Sequence, residues 1–280
     1  MKKIIKKQSS NGNLEEEVFP EITSVKISGS VIERFFEEVS SLTIFALRFF
    51  KEIVKPPFEF NEMLKQSFQI GYRSLPLVGI TGFIIGLVLT IQSRPTLAKF
   101  GAESWLPAMV AVSIIREIIP VITALIFAGK VGSGIGAELA SMNVTEQIDA
   151  MKVSCTNPFK YLVVTRVLSA TLMLPLLVVF ADIIGLLGAF VGVNLKGSVS
   201  SYLFFSQIFQ SLEFIDIFPA FIKTFFFGFA IGIIGSYKGY NSYKGTEGVG
   251  KAANSSVVFG SLMVFIIDMI AVQITSFFQN

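Results

Sequence analysis

The residues with the most chemistry to offer are the charged ones that interrupt long apolar runs: Arg116, Glu117, Asp182, Lys223 and Asp268. At the centre of a membrane helix each costs about 2.5 to 3.5 kcal/mol on insertion scales, so a set of five needs a purpose. Arg116 and Glu117 are neighbours in sequence, point about 100° apart on a helix and cannot pair well with each other. Partners on other helices are expected: Asp268 for Lys223, and an acid of the third or fifth apolar run for Arg116. Three uses are open to such a set. It can form ion pairs that fix helix register, it can line a cavity open to the outer side that accepts a polar headgroup, or it can relay protons or ions.

Other chemistry is excluded by inventory. The 280 residues contain no His, which removes Ser-His-Asp and Cys-His catalysis, HExxH zinc sites and histidine-bound haem. A single Cys, Cys155, excludes an intrachain disulfide. Two segments imitate phosphate sites. "GTEGVGKA", from Gly245, has P-loop spacing, but Ala252 stands where the Mg²⁺-binding Ser or Thr belongs, and no buried strand precedes it. "GSGIGA", from Gly132, imitates a dinucleotide fingerprint without a βαβ unit around it. The chain is therefore expected to bind no cofactor itself, any ATP and Mg²⁺ being handled by a partner.

The elements that must position the five charges follow from composition. With 52% hydrophobic residues, 29 Phe and only 15% charged residues, the chain suits a bilayer rather than water. The fold class is all-α, a polytopic membrane protein with five transmembrane helices at about 74–92, 107–129, 161–193, 217–237 and 255–278. Residues 31–70 read as an interfacial amphipathic segment: from Val31 to Val54 apolar residues recur at three- and four-residue steps among charged ones, and Pro56 and Pro57 end the pattern. Residues 1–30 are expected to be a disordered cytoplasmic tail, and 71–280 the membrane domain. Lys65 and Arg73 precede the first span, Lys130, Lys152, Lys160 and Arg166 occupy the second connection, and Lys238, Lys244 and Lys251 the fourth. This asymmetry puts the N-terminus in the cytoplasm and the C-terminus outside, and it accounts for the net charge of +3 without nucleic acid.

Counted at about 1.5 Å per residue from the outer ends, Arg116, Glu117, Asp182 and Asp268 lie roughly 14 to 16 Å deep and Lys223 roughly 9 Å. Gly82 with Gly86, Gly188 with Gly192 and Gly228 with Gly232 have the spacing that lets helix backbones approach, and Pro175 is the natural kink of the long third span. The cytoplasmic connection of about 130–160 is longer and more polar than a linker needs. Within it Asn143 and Glu146 have capping-box spacing, and Val144, Ile148 and Met151 share one face of a short helix. Thr145, Glu146, Gln147, Asp149 and Lys152 would then face water or a partner.

Three long segments carry a resemblance: "GYRSLPLVGITGFIIGLVLTIQ" from Gly71, "REIIPVITALIFAGKVGSGIGAELASMNVTEQIDAMKV" from Arg116, and "NPFKYLVVTRVLSA" from Asn157. They closely resemble the MlaE (YrbE) family of ABC-transporter permeases, from roughly Gly71 to the C-terminus. The departures, Lys130 in "AGK" and Ile119 in "REII", are mild. The resemblance implies a homodimeric permease that moves phospholipid or a related hydrophobic molecule between the inner membrane and an MCE-domain protein assembly, driven by a separate cytoplasmic ATPase. It implies a coupling helix over Val144, Thr145, Glu146, Gln147, Ile148, Asp149 and Met151 that docks on that ATPase, and polar positions at Arg116, Glu117, Lys223 and Asp268 in or near the lipid cavity. A bacterial inner membrane is the implied location, a plastid inner envelope the alternative. The rival from another class, an ion- or proton-coupled secondary transporter, should show an internal repeat, and none is evident. An intramembrane lipid enzyme would need a convergent nucleophile and base.

Overall fold

The computed structural model of the chain describes residues 31–56, 58–195, 200–243 and 245–279. The expected tail, 1–30, lies outside the described residues. Helix α1 spans Val31–Val54 and α2 spans Phe60–Lys99. A single 3-10 turn, Glu103–Trp105, leads into α3 (Leu106–Ser113); π-helical turns at Ile114–Ile118 and Ala128–Gly132 then link α3, α4 (Ile119–Phe127) and α5 (Ser133–Val144). The short α6 (Gln147–Val153) and a third π-helical turn, Phe159–Val164, precede α7 (Thr165–Asn194). The chain continues through α8 (Ser201–Ser211), α9 (Phe214–Tyr240) and α10 (Thr246–Gln279). No strand occurs among the described residues. Among the described residues, five helical rods are long and apolar enough to cross a bilayer: Phe60–Lys99, Glu103–Val144, Phe159–Asn194, Phe214–Tyr240 and Thr246–Phe277.

The rods are longer than the apolar runs inside them. α2 starts at Phe60, not near Ser74, so the expected boundary at residue 70 falls within one helix. Its first turns carry Glu62, Lys65, Gln66, Gln69 and Arg73, and hydropathy marks only the part of a helix that suits lipid, not where the helix begins. The second connection is corrected in the same way. Instead of a polar linker from Lys130, the helix runs on to Val144, because Gly132 and Gly136 let it press against α9 and α10. A Cβ on Gly239 of α9 would meet the Gly136 carbonyl oxygen at 2.6 Å, and one on Gly235 would meet the Gly132 carbonyl oxygen at 2.9 Å. The dinucleotide look-alike is thus a helix-packing seam. α8 is an addition that no apolar run announced; it buries Phe204 and Ile208, with Phe204 edge-on to Phe190 at 5.3 Å.

α2 and α7 form the tightest seam. A Cβ on Gly86 would strike the Gly185 carbonyl oxygen, and one on Gly188 the Phe83 carbonyl oxygen. With no drive from water to associate helices inside lipid, such backbone contact supplies the attraction through dispersion. Gly228 of α9 also packs closely on α7: a Cβ there would stand 2.7 Å from the Ala170 carbonyl oxygen. Pro175 lies inside α7 without ending it.

The stretch of α1 up to Ser40 forms a unit separate from the remainder of the chain. From Ser41 onward α1 is apolar on two sides. Phe45 and Phe49 are buried, against Phe159 at 4.9 Å and Phe229 at 5.6 Å, while Ile44, Leu47 and Phe50 are exposed.

Candidate functional site

The first π-helical turn carries both Arg116 and Glu117. A π turn takes in one extra residue and changes the direction in which side chains leave the helix, and such turns are frequent at functional sites. Here both charges find partners on α9. Lys223, 4% exposed, donates from Nζ to Glu117 Oε2 at 2.6 Å and to Asp268 Oδ1 of α10 at 2.9 Å. An isolated buried ammonium would be prohibitively costly; two carboxylates supply the charge and acceptors it needs. Lys223 thus bridges the second, fourth and fifth rods at one depth. A fourth span starting at Ile217 puts Lys223 only roughly 9 Å deep; α9 starts at Phe214, which adds three residues before it.

Arg116 Nη1 lies 3.5 Å from Asp216 Oδ1, in the first turn of α9. Asp216, 8% exposed, also accepts from the Glu213 backbone N–H through Oδ2 at 3.2 Å, closing a reciprocal capping box with Glu213. One carboxylate therefore caps α9 and faces Arg116. Sequence reasoning missed Asp216 because it falls just before the apolar run, although the Glu213 and Asp216 spacing was a readable cap signal. Asp182 does not join the group either. It is absent from the cleft lined by Arg116, Glu117, Asp216, Pro219, Lys223 and Thr275 among others, and its Oδ1 is buried without a hydrogen-bond partner. The cleft measures about 10 Å³, room for about one water.

The second candidate, Val144 to Met151, is a turn between two helices rather than one helix. α5 ends at Val144, Glu146 has a left-handed backbone (φ 58°), and α6 starts at Gln147. The expected capping box from Asn143 is not formed: Asn143 Nδ2 donates instead to the Ser242 carbonyl at 3.0 Å, pinning the turn to the α9–α10 loop. Ile148 is buried, Val144 and Met151 are half-buried, and Thr145, Glu146, Gln147, Asp149 and Lys152 are exposed. Below the turn, Arg166, 2% exposed, donates to Glu138 Oε1 of α5 at 2.8 Å and to the Leu162 carbonyl at 3.0 Å. Leu162 lies in the third π-helical turn. Asn157 Nδ2 donates to Glu52 of α1 at 3.0 Å, and the Arg48 guanidinium lies 4.3 Å from the Phe159 ring centroid.

A membrane helix bundle with an intramembrane charge cluster and an exposed turn on one side is matched by sequence: the family described as Permease MlaE covers residues 63–274. The chain belongs to the MlaE permease family. Relatives of this MlaE-family chain include a probable ABC transporter permease protein of Rickettsia typhi, 39% identical over 241 residues, 86% of this chain and 93% of the relative. The intermembrane phospholipid transport system permease protein MlaE of Haemophilus influenzae is 36% identical over 217 residues, 77% of this chain and 83% of its own. A probable ABC transporter permease protein of Pyropia yezoensis is 38% identical over 214 residues, 75% and 80% of the two chains. Within the match to the MlaE family fall Arg116, Glu117, Lys223, Asp268 and the whole turn from Val144 to Met151.

Proposed function

We propose that this chain is the transmembrane subunit of an ABC transporter that moves phospholipid between its membrane and an MCE-domain protein assembly on the outer side. A separate ATPase subunit binds and hydrolyses ATP. The observation that carries the reading is the family match over residues 63–274 combined with Lys223 held between Glu117 and Asp268 inside the bundle. In this reading the N-terminus is cytoplasmic and two copies of the chain act together. Their walls hold acyl chains, and Arg116, Glu117, Lys223 and Asp268 meet the headgroup, with Asp182 a further polar position. The cleft at the charges is too small for a headgroup, so the cavity opens as the copies and their spans move. The ATPase docks on the exposed side of Val144 to Met151, and its closure reaches the spans through α5, Arg166 and the π-helical turns. The membrane is a bacterial inner membrane, or a plastid inner envelope, as the relative from Pyropia yezoensis suggests.

The test is purification of the tagged protein from its own membrane in mild detergent, with mass spectrometry of co-purifying proteins and lipids. An ATPase and an MCE-domain protein with enriched phospholipid are expected. A permease without an ATPase across several detergents would overturn the reading and favour ion-coupled transport.

A further inference from the structure

We propose that the α2–α7 pair carries a second lipid site, for a phospholipid of the cytoplasmic leaflet, with one acyl chain in an apolar groove and the phosphate at Arg73. The groove measures about 520 Å³ and is lined by Leu75, Pro76, Gly79, Ile80, Phe83 and Phe180 among others, without one charged side chain. Gly79 leaves the hollow open: a Cβ there would stand 3.1 Å from Phe180 Cε1. Arg73 continues the same face of α2, three residues before Pro76 and so about 5 Å nearer the cytoplasmic end. It is exposed, and its guanidinium has no hydrogen-bond or ion-pair partner among the described residues. Lys130 brings a second cation to that turn, its Nζ donating to the Arg73 carbonyl. Neither cation meets a carboxylate among the described residues.

The aromatic residues set the level. Phe68 and Tyr72 are exposed and stacked, with centroids 5.2 Å apart, as suits side chains at the headgroup layer. From Tyr72 and Arg73 upward the face changes from aromatic and basic to wholly apolar, which is the order of phosphate over acyl chain. Charge decides against a second copy of this face as the occupant. A twofold axis along the membrane normal would bring Arg73 and Lys130 towards their own counterparts, whereas a phosphate is complementary to both. The site stands apart from the Lys223 cluster, whose lining includes no residue of α2. The inference rests on the proposed orientation, with the start of α2 in the cytoplasm.

The experiment is native mass spectrometry of the full chain, delipidated and then titrated with phosphatidylglycerol, alongside Arg73→Gln and Gly79→Leu. Each variant should bind one phospholipid fewer than the unaltered chain. Retention by Arg73→Gln equal to that of the unaltered chain overturns the proposal; this exposed substitution carries the test if Gly79→Leu fails to fold. Ile80→Cys in a Cys155→Ser background adds a second arm. Its oxidation to a covalent dimer in native membranes would put another copy in the groove and also overturn the proposal, while a monomer is expected. Both measurements need neither ATPase nor transport, so their failure is distinct from failure of the permease reading.

Discussion

Removing Lys223 should cost more than removing either of its partners, and the two partners should differ in a direction opposite to their distances. Lys223→Met leaves Glu117 and Asp268 facing one another with no cation between them. Breaking a buried pair of this kind costs about 3 to 5 kcal/mol. Asp268→Asn and Glu117→Gln each leave Lys223 one carboxylate. Glu117 makes the shorter bond, 2.6 Å against 2.9 Å, but its side chain is 39% exposed, whereas that of Asp268 is 20% exposed. Glu117, unlike Asp268, lines the cleft that has room for about one water, and a water there brings its pair towards the about 1 kcal/mol typical of accessible ion pairs. The better shielded Asp268 pair should cost about 2 to 3 kcal/mol. Reversible unfolding of the purified protein in mixed micelles, run as double-mutant cycles with Lys223→Met, gives both coupling energies. A Glu117 coupling equal to or larger than that of Asp268 would refute the reasoning, because distance rather than exposure would then set the strength.

The other expectations concern packing, the turn and its support. Gly86→Leu and Gly188→Leu push side chains into opposing backbone and should each cost more than about 3 kcal/mol, read as lost folded protein by size-exclusion chromatography. Gly129→Ala, which meets open space, should leave the same elution profile intact. Glu138→Ala strips the nearly buried Arg166 of its carboxylate and should cost about 2 kcal/mol, measured as a fall in thermal midpoint. Glu146→Lys and Asp149→Lys, both on the exposed side of the turn, should uncouple ATP hydrolysis from lipid transfer in reconstituted vesicles while the permease stays folded; unchanged coupled transfer would remove this surface from the mechanism.

Where the sequence was legible, lipid solubility made it so. Apolar runs revealed the five rods, and a charge inside such a run, as at Lys223 and Asp268, stands out because it is expensive there. The same signal fails at the edges. Asp216 sits at the cap of α9, where a carboxylate is cheap and unremarked, so its contact with Arg116 leaves no mark in the hydropathy pattern. The polar residues after Lys130 mark a connection in the sequence, whereas the second rod runs through them to Val144, with Gly136 serving close packing. The depth and angle of Asp182 gave no hint that its own helix would leave it apart from the cluster. The π-helical turns also have no signature in hydropathy, since one extra residue in a turn leaves the average unchanged.

The glycine seam between α2 and α7 has a mechanical side. Two rods touching backbone to backbone over Gly82, Gly86, Gly185 and Gly188 have no long side chains between them to switch rotamers and let them slide. Close-packed surfaces of this kind transmit displacement rather than absorb it, so the pair acts as a single stiff plank. The second rod, interrupted twice by π-helical turns, is the compliant member beside it. In the proposed cycle the rod with the π-helical turns is the one able to flex against the plank, and Arg116 and Glu117 lie in the first of those turns.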